Sequence, residues 1–315
     1  ALDVLEKYLA YLRNIIDGAK GGQIQPLYSV MGESELHESF ADELSGYRGM
    51  GPVRIGNAAY KQVQHDCYGQ IVLPTAQAFF DHRLLRMADE SDFASLEEVG
   101  DMAWAMHDQP DAGLWEFRTR QEVHTYSAVM CWAACDRLAN VAEHMGKADR
   151  ASHWRERAET IGARIEKEAW VEDGQHYGAS FESDYLDASL LQMVELRFLK
   201  PEDARFKSTF AAIEKTLRRG EHMLRYASED DFGLPETAFN VCTFWLIEAL
   251  HLAGRNEEAC GIFTAMLSHR TGSGMLSEDL DFETGELWGN FPQTYSLVGV
   301  INCAGLLSRK WSDIR

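Results

Sequence analysis

The sequence predicts an all-α protein built as an α/α toroid, a double ring in which outer helices cover inner helices around an axis. Helical periodicity runs through most of the 315 residues, whereas strand-like alternation of apolar and polar residues is rare. Segments that are apolar on most sides alternate with segments that carry one apolar stripe. A helical solenoid would alternate similarly, but it would repeat its sequence at a fixed period, and we find no such repeat.

The periodicity predicts ten helices along the chain. Ser95 and Glu98 have the spacing of a capping box, and Glu257 and Glu258 follow Asn256 as an acidic first turn. The ten helices are expected at residues 2–18, 57–86, 95–108, 120–146, 148–169, 186–198, 202–218, 236–253, 256–269 and 292–309.

These predicted helices are of two kinds. Segments 120–146, 236–253 and 292–309 are apolar around most of the helix, so we expect them to be buried on nearly all sides. Segment 148–169 has the pattern of an outer helix, with a single stripe formed by Trp154, Ala158, Ile161 and Ile165.

Composition predicts one domain over residues 1–315. Hydrophobic residues make up 45% of the chain, which is enough for a large core, and no low-complexity or proline-rich linker interrupts it. The net charge of -20 keeps such a protein soluble and argues against nucleic acid or anionic membrane surfaces as partners. Neutral sugars remain compatible partners, and the oligomeric state is left open.

The cysteines indicate a reducing compartment. They lie mostly in apolar helical runs, and Cys131 and Cys135 have helical spacing rather than the CxxC spacing of a zinc or redox site. With neither a transmembrane-length apolar run nor a signal peptide visible at the start, we expect a cytoplasmic protein. We interpret all six as core thiols: Cys67, Cys131, Cys135, Cys242, Cys260 and Cys303.

Two glutamates stand out in the long segments between the helices. Glu116 follows Trp115 in the sequence GLWEFR, and Glu278 lies in GMLSED. A carboxyl group beside an indole, away from water, can stay protonated near neutral pH, while a carboxylate in a wetter place stays charged. In a chain with 50 acidic residues the alternative is that each is an ordinary surface or capping glutamate.

No cofactor or metal is expected. His107 and His124 have no second histidine at metal-ligand spacing, so we interpret both as structural or rim residues. No nucleotide-binding glycine motif follows a strand, and no serine nucleophile elbow is present.

Several short blocks of sequence, in order along the chain, resemble bacterial members of glycoside hydrolase family 15. They are QPLY at 25–28, GYRG at 46–49, PVRIGNAA at 52–59, GLWE at 113–116, MCWA at 130–133, LRY at 224–226 and GNFPQ at 289–293.

This resemblance implies an (α/α)6 barrel and inverting hydrolysis of terminal α-linked glucose. The family includes glucoamylases, glucodextranases and trehalases. By motif, Glu116 would be the general acid and Glu278 the general base. Our main expectation is a glucoamylase-like enzyme that releases glucose from the non-reducing ends of α-glucans or oligosaccharides. The alternatives are a trehalase, or an impaired toroid that binds glycans or a partner.

The sequence also departs from the family pattern. Relatives usually carry an N-terminal β-sandwich and a first barrel helix with a Trp-Leu-Arg-Asp motif, whose Arg and Asp hold the terminal glucose. We find neither in this sequence, and about ten helices are visible where twelve are expected. The expectation is therefore the C-terminal portion of the family architecture, as a fragment or as a truncated relative with an incomplete glucose pocket.

Further residues are candidates for binding the sugar. By resemblance Arg225 contacts the terminal glucose, and this is the reading we favour over the alternative of a salt bridge with Asp230 or Asp231. Trp115 offers a stacking face. The remaining candidates are Arg54 as a second sugar ligand, Tyr47 at the pocket mouth, the backbone carbonyl of Leu114, and Glu236, which is either a pocket acid or a charge at a helix start.

Overall fold

The computed structural model describes residues 2–19, 21–230 and 233–308, and these residues are mainly helical. The helices are α1 Leu2–Ala19, α2 Asp66–Ala76, α3 Glu90–Met106, α4 Thr125–His144, α5 Ala148–Glu168, α6 Gln192–Glu195, α7 Ala204–Leu217, α8 Asn240–Leu252, α9 Asn256–Ser268 and α10 Thr294–Ser308.

Strands in the described residues are only two residues long, and all of them pair antiparallel. They form the pairs β1–β2, β3–β4 and β5–β6 and the three-stranded sheet β7–β8–β9. Their bounds are β1 Ser39–Phe40, β2 Arg54–Ile55, β3 Trp170–Val171, β4 His176–Tyr177, β5 Arg218–Arg219, β6 His222–Met223, β7 Ala238–Phe239, β8 Asp279–Leu280 and β9 Leu287–Trp288.

The chain divides into two compact units, Ala1–Arg164 and Ile165–Arg315. We refer to them as the N-terminal unit and the C-terminal unit and describe each by itself. A single domain over residues 1–315 stays a prediction.

In the N-terminal unit, α4 packs against α2 and α3, and α1 contacts both α2 and α3. Most residues of α4 are buried, as predicted for segment 120–146. The predicted stripe of α5 is also buried, and its Trp154 donates a hydrogen bond of 2.7 Å from Nε1 to Glu97 of α3. Trp154 therefore anchors an amphipathic outer helix on α3.

In the C-terminal unit, α8 is the central helix, with α9 and α10 packed against it. Its burial agrees with the prediction for segment 236–253. Segment 292–309, which contains α10, was also predicted to be buried on nearly all sides. This prediction is wrong, because Val298 and Ile301 are 43% and 69% exposed. Among the described residues, only the face of α10 that carries Ser296, Gly299 and Cys303 is buried.

The prediction of a continuous helix at 57–86 is wrong, because part of this segment forms backbone hydrogen bonds with other parts of the chain. A short 3-10 turn forms at Ala58–Lys61, α2 begins only at Asp66, and a second 3-10 turn follows at Gln77–Phe79. Between the first turn and α2, the backbone bonds outside the helix: the Val63 carbonyl accepts from Ala112 N at 2.9 Å. Tertiary hydrogen bonds thus replace helical ones, and these same bonds shape the site described below.

Other boundaries shift for local reasons. The capping box of α3 is formed by Asp89 and Asp92 rather than by Ser95 and Glu98, so this helix begins five residues earlier than predicted. Segment 186–198 is a 3-10 turn, Ala188–Leu191, followed by the four-residue α6. The acidic first turn of α9 is confirmed.

The cysteines are free thiols, and five of the six are buried as predicted. Cys260 is the exception, because it lies on the exposed face of α9. Within the described ranges, no helix is both long enough and apolar enough to cross a bilayer.

Candidate active site

Glu116 lies on a tight turn of the N-terminal unit and is half-buried. Its φ angle is +58°, in the left-handed region that costs free energy for a residue with a side chain. The Glu116 N–H donates to the Gly113 carbonyl at 3.1 Å, and the Phe117 N–H donates to the Ala112 carbonyl at 3.1 Å. The turn therefore fixes where the Glu116 side chain starts.

The residues around Glu116 explain the composition of the turn. Leu114 and Trp115 are half-buried, and Phe117 is buried with its ring stacked on His124 at 5.7 Å between centroids. Gly113 has a φ of +67°, and a Cβ there would come within 2.5 Å of the His124 ring. His124 is thus a packing residue, as predicted, and burial lowers its pKa to about 4.

The segment that leads into α2 is hydrogen-bonded to this turn at three places. Gln62 Nε2 donates to the Glu116 carbonyl at 3.0 Å, Ala112 N donates to the Val63 carbonyl at 2.9 Å, and His65 N donates to Asp111 Oδ2 at 2.7 Å. These three hydrogen bonds attach residues 62–66 to the Glu116 turn and hold the turn in place.

Two buried carboxyl groups accompany the same turn. Asp66, the first residue of α2, is 3% exposed, and burial raises its pKa to about 6, with a further contribution from the charge of Glu116. Asp111 is fully buried, accepts a hydrogen bond of 2.8 Å from Ser127 Oγ, and has its pKa raised by burial to about 7. Glu116 is therefore one of three neighbouring acids.

Glu278 belongs to the C-terminal unit and immediately precedes β8. It is half-buried, and its Oε2 accepts two hydrogen bonds of 3.0 Å from Asn290, one from the backbone N–H and one from the side-chain amide. Its own N–H donates to the Asn290 carbonyl at 2.9 Å, while its carbonyl accepts from Asn240 N at 3.0 Å. Backbone and side chain are both fixed.

Gly289 has no side chain, and the carboxylates of Glu278 and Asp279 lie where a side chain would crowd them. It has a φ of +75°, and a Cβ there would lie 2.9 Å from Glu278 Oε2 and 3.0 Å from Asp279 Oδ2. The pKa of Asp279 is raised to about 7 by burial and then by the charge of Glu278. The nearby Arg225 and a hydrogen bond with Thr237 partly offset that rise.

Arg225 lies in the same unit and has the salt bridge that the sequence left open. Its NH2 group is 3.1 Å from Asp230 Oδ2, and its guanidinium lies 5.8 Å from the Phe239 ring centroid. Because its charge also acts on Asp279, Arg225 is electrostatically coupled to the Glu278 segment. Asp231, the other predicted partner, lies outside the described residues.

Arg54 and Tyr47 lie on an exposed part of the N-terminal unit. Arg54 Nε is 3.3 Å from Glu38 Oε1, and Arg118, two residues after Glu116, reaches Glu38 Oε2 at 3.4 Å. Tyr47 is 58% exposed on a 3-10 turn. Glu38 therefore links the predicted ligand Arg54 to the chain that leaves the Glu116 turn.

The alternative that Glu236 is a charge at the start of a helix is wrong. This exposed residue precedes β7, and α8 begins only at Asn240, so Glu236 is not a charge in the first turn of a helix. Its role as a pocket acid stays a prediction, as do the sugar-binding roles of the other candidates.

Sequence reasoning missed four polar residues that support the two glutamates: Gln62, Glu38, Asp66 and Asn290. Asn290 lies within the GNFPQ block, which was a usable signal. The others act through contacts between distant segments, and no local spacing marks them. Among the described residues, no cluster of three or more histidine, cysteine or acidic side chains has the arrangement of a metal site.

The family model and the similar known sequences agree on one family. The model for "Glycosyl hydrolases family 15" matches residues 4–305. A trehalase of Mycobacterium tuberculosis is 36% identical over 304 residues, covering 94% of this chain and 44% of that protein. A trehalase of Thermoplasma volcanium is 32% identical over 289 residues, covering 90% of this chain and 45% of that protein. The chain thus spans about half the length of the curated relatives it matches.

Solved structures show the fold class. A structure described as a wild-type glycosidase has a TM-score of 0.67 at 18% identity, covering 97% of this chain and 80% of that one. A bacterial glucoamylase complexed with acarbose has a TM-score of 0.64 at 14% identity, covering 85% of this chain and 45% of that one. The fold is all-α and of the (α/α)6 toroid class, as predicted.

Proposed function

This chain belongs to glycoside hydrolase family 15, and from that premise we propose that it carries the acid and the base for hydrolysis of α,α-trehalose. The observation that carries the choice of substrate is the 36% identity with a trehalase over 94% of the chain. The likeness to the bacterial glucoamylase is at 14% identity and concerns the fold alone. Trehalose is therefore favoured over the glucan ends that the sequence motifs first indicated.

The proposed reaction is a single displacement with inversion. Glu116 donates a proton to the glycosidic oxygen while the bond from that oxygen to C1 of one glucose breaks. Water attacks C1 from the opposite face and gives its proton to Glu278. One glucose is released as the β-anomer, and the other leaves with its α-configuration intact.

The surroundings of Glu116 support its role as the acid. The residue is half-buried next to Trp115, and its carbonyl accepts a hydrogen bond of 3.0 Å from the Gln62 side chain. Removal from water disfavours the ionised form of a carboxyl group. A half-buried carboxyl on a fixed turn is suited to holding the proton that the leaving oxygen needs.

The surroundings of Glu278 support its role as the base. Two N–H groups of Asn290 donate to its Oε2. N–H donors bind a carboxylate more strongly than a neutral carboxylic acid, so they suit a group that must be an anion before it accepts a proton from water.

Arg225, Trp115, the Leu114 carbonyl, Arg54, Tyr47 and Glu236 are proposed to contact the sugar. Arg225 has the best support, because it is half-buried and coupled to the Glu278 segment through Asp279. Its planar guanidinium is suited to a pair of neighbouring hydroxyl groups. Glu236 has the least support, since it is exposed on the segment before β7.

The test is hydrolysis of a substrate panel by the full chain, with the product anomers followed by ¹H NMR before mutarotation. We expect glucose from trehalose, with α- and β-glucose appearing in equal amounts, and slower release from maltose, maltooligosaccharides and isomaltose. Release of α-glucose alone would exclude inversion. Faster turnover of maltooligosaccharides would restore the glucoamylase assignment, and binding of these sugars without turnover would support a glycan-binding protein.

A further inference from the structure

The backbone that carries Glu278 is held from two helices of the C-terminal unit. The Ser277 carbonyl accepts hydrogen bonds of 2.8 Å from Asn240 Nδ2, at the start of α8, and of 2.7 Å from Ser296 Oγ, in the first turn of α10. The Glu278 carbonyl accepts from Asn240 N at 3.0 Å. Asn240 is fully buried and Ser296 is 1% exposed, so these bonds are shielded from water. The position from which the Glu278 side chain starts is therefore fixed.

The end of that side chain is held by Asn290. The β8–β9 pairing ends at Asp279 and Trp288, and two residues later the Asn290 N–H donates to a side chain, Glu278 Oε2, at 3.0 Å. The side-chain amide of Asn290 donates to the same oxygen, also at 3.0 Å. Glu278 N in turn donates to the Asn290 carbonyl at 2.9 Å, so three hydrogen bonds join the two residues.

The two oxygens of the Glu278 carboxylate therefore have different surroundings. A carboxylate oxygen has two lone pairs, and the two donors of Asn290 occupy both lone pairs of Oε2. Oε2 also lies against Gly289, where a Cβ would come within 2.9 Å of it. Both hydrogen bonds that the described residues make to this carboxylate go to Oε2, so the lone pairs of Oε1 remain for a water molecule.

We propose that Asn290 is a positioning residue that orients the Glu278 carboxylate through Oε2 and leaves Oε1 as the atom that accepts the proton of the attacking water. The inference rests on the proposed function, in which Glu278 is the base. In that step Oε1 bonds to the water proton and the water oxygen bonds to C1. The electron pair of the broken C1–O bond leaves with the glycosidic oxygen, which takes the proton of Glu116. Glu278 ends as the neutral acid and Glu116 as the carboxylate.

The first test is the kinetics of Asn290→Leu in the full chain. The variant removes the side-chain donor at similar size and keeps the backbone N–H. We expect kcat on trehalose to fall about tenfold while KM stays within about twofold, because a misplaced base slows proton transfer without changing contacts to the sugar. If Asn290→Leu does not fold, Asn290→Ala removes the same donor.

The same variant on α-glucosyl fluoride shows whether Asn290 acts on the base alone. Fluoride leaves without an acid, but the attacking water still needs a base, so we expect the same fold loss as on trehalose. Unchanged kcat on both substrates would overturn the proposal. A clearly larger loss on trehalose than on the fluoride would also overturn it, because the acid would then be disturbed as well.

A double-mutant cycle separates action through Glu278 from a general structural role. Asn290→Leu is combined with Glu278→Gln, and the residual hydrolysis of α-glucosyl fluoride is measured in the single and double variants. If Asn290 acts only through the base, its loss should change the residual rate of Glu278→Gln by less than about twofold. A further tenfold loss in the double variant would overturn the proposal.

Asn140→Leu is the matched control. Asn140 Nδ2 also donates to a carboxylate, Asp136 Oδ2, at 3.2 Å, but it lies on α4 of the N-terminal unit. The control should leave kcat on both substrates within about twofold of the wild type. A loss as large as that of Asn290→Leu would mean that the contact with Glu278 is not the cause, and it would overturn the proposal.

Hydrogen exchange at the Asn290 backbone amide distinguishes failure of this inference from failure of the proposed function. Because this amide donates to Glu278 Oε2, we expect it to exchange about five- to tenfold faster in Glu278→Ala, and unchanged exchange would overturn the contact. If Glu278→Gln keeps full hydrolysis of trehalose, the proposed function fails and the role of Oε1 fails with it, even where exchange shows the contact. If Glu278→Gln is inactive but Asn290→Leu keeps full activity, Glu278 is the base without help from Asn290, and only this inference fails.

Discussion

The Glu116 turn and the Glu278 segment hold their glutamates in opposite ways. Glu116 is fixed through its backbone, by a left-handed turn whose carbonyl accepts from Gln62, and its neighbours are the buried acids Asp66 and Asp111. Glu278 is fixed through its side chain as well as its backbone, with two N–H donors of Asn290 on its carboxylate. Each glutamate has a buried acid nearby, Asp66 and Asp279, and the difference is that Gln62 donates to the carbonyl of Glu116 whereas Asn290 donates to the carboxylate of Glu278.

This difference teaches how two identical side chains obtain different roles. N–H donors on a carboxylate stabilise its anion, whereas a donor on the backbone carbonyl fixes the position of the residue. The Glu278 arrangement suits a proton acceptor, and the Glu116 arrangement suits a carboxyl group that must be positioned to donate. The predictions below use variants that remove or exchange these surroundings.

The largest effect is expected from Glu116→Gln and Glu278→Gln. Loss of either should lower kcat on trehalose by about 10³-fold, because general acid and base catalysis contribute factors of this order. On α-glucosyl fluoride the two variants should differ, since fluoride leaves without protonation. Glu116→Gln should regain most of its activity there, while Glu278→Gln should stay inactive. The measurement is steady-state release of glucose and fluoride.

Glu283→Gln is the matched control for both. Glu283 is an exposed glutamate in the turn between β8 and β9, five residues from Glu278. Its loss should leave both rates within about twofold of the wild type. Equal losses of Glu116→Gln and Glu278→Gln on the fluoride would contradict the separate roles.

A smaller effect is expected from Gly289→Ala in the Glu278 segment. The added Cβ would combine a left-handed backbone with contacts of 2.9 Å to Glu278 Cβ and Oε2. We expect a loss of about 3 kcal/mol in the free energy of unfolding, because overpacking and backbone strain add. Turnover should fall as well, since Glu278 must move. Urea denaturation and kcat on trehalose measure the two effects.

Gly274→Ala is the control for backbone strain alone. Its φ is +84°, and a Cβ there would meet no atom within 4 Å. It should cost about 1 kcal/mol and leave turnover unchanged. If Gly274→Ala lowered turnover as much as Gly289→Ala, the crowding of Glu278 would not be the cause.

Much of the helical architecture was predictable because periodicity is a local property. The buried α4, the stripe of α5 around Trp154 and the acidic start of α9 all follow from residue spacing. The break of segment 57–86 was not predictable, since Val63 and His65 bond to residues nearly fifty positions away. Local propensity cannot report such a competition.

The candidate site shows the same division. Glu116 and Glu278 are marked by short motifs, and Arg225 by a third, so the sequence was sufficient to name them as candidates. What supports them was hidden: the Arg54–Glu38–Arg118 contacts join three separate segments. The start of α8 was misplaced at Glu236 because residues 238–239 pair with β8 instead of forming a helical turn.

The smallest of these effects is a pH dependence of stability that originates at Asp279. Its pKa in the folded chain is raised to about 7, above the ordinary value of 3.8, mainly by burial. The folded chain therefore binds more protons than the unfolded chain between these two values, and stability falls as pH rises through this range. Asp279→Asn removes that loss, so the variant should gain on the order of 2 kcal/mol relative to the wild type between pH 5 and pH 7.

Asp281→Asn is the control with the opposite sign, because hydrogen bonds, first among them the one from the Glu283 N–H, lower the pKa of Asp281. The stability of Asp281→Asn relative to the wild type should fall or stay level as pH rises. Urea denaturation at each pH gives both differences, and parallel pH profiles for the wild type and Asp279→Asn would show that the surroundings of Glu278 do not hold a proton at Asp279.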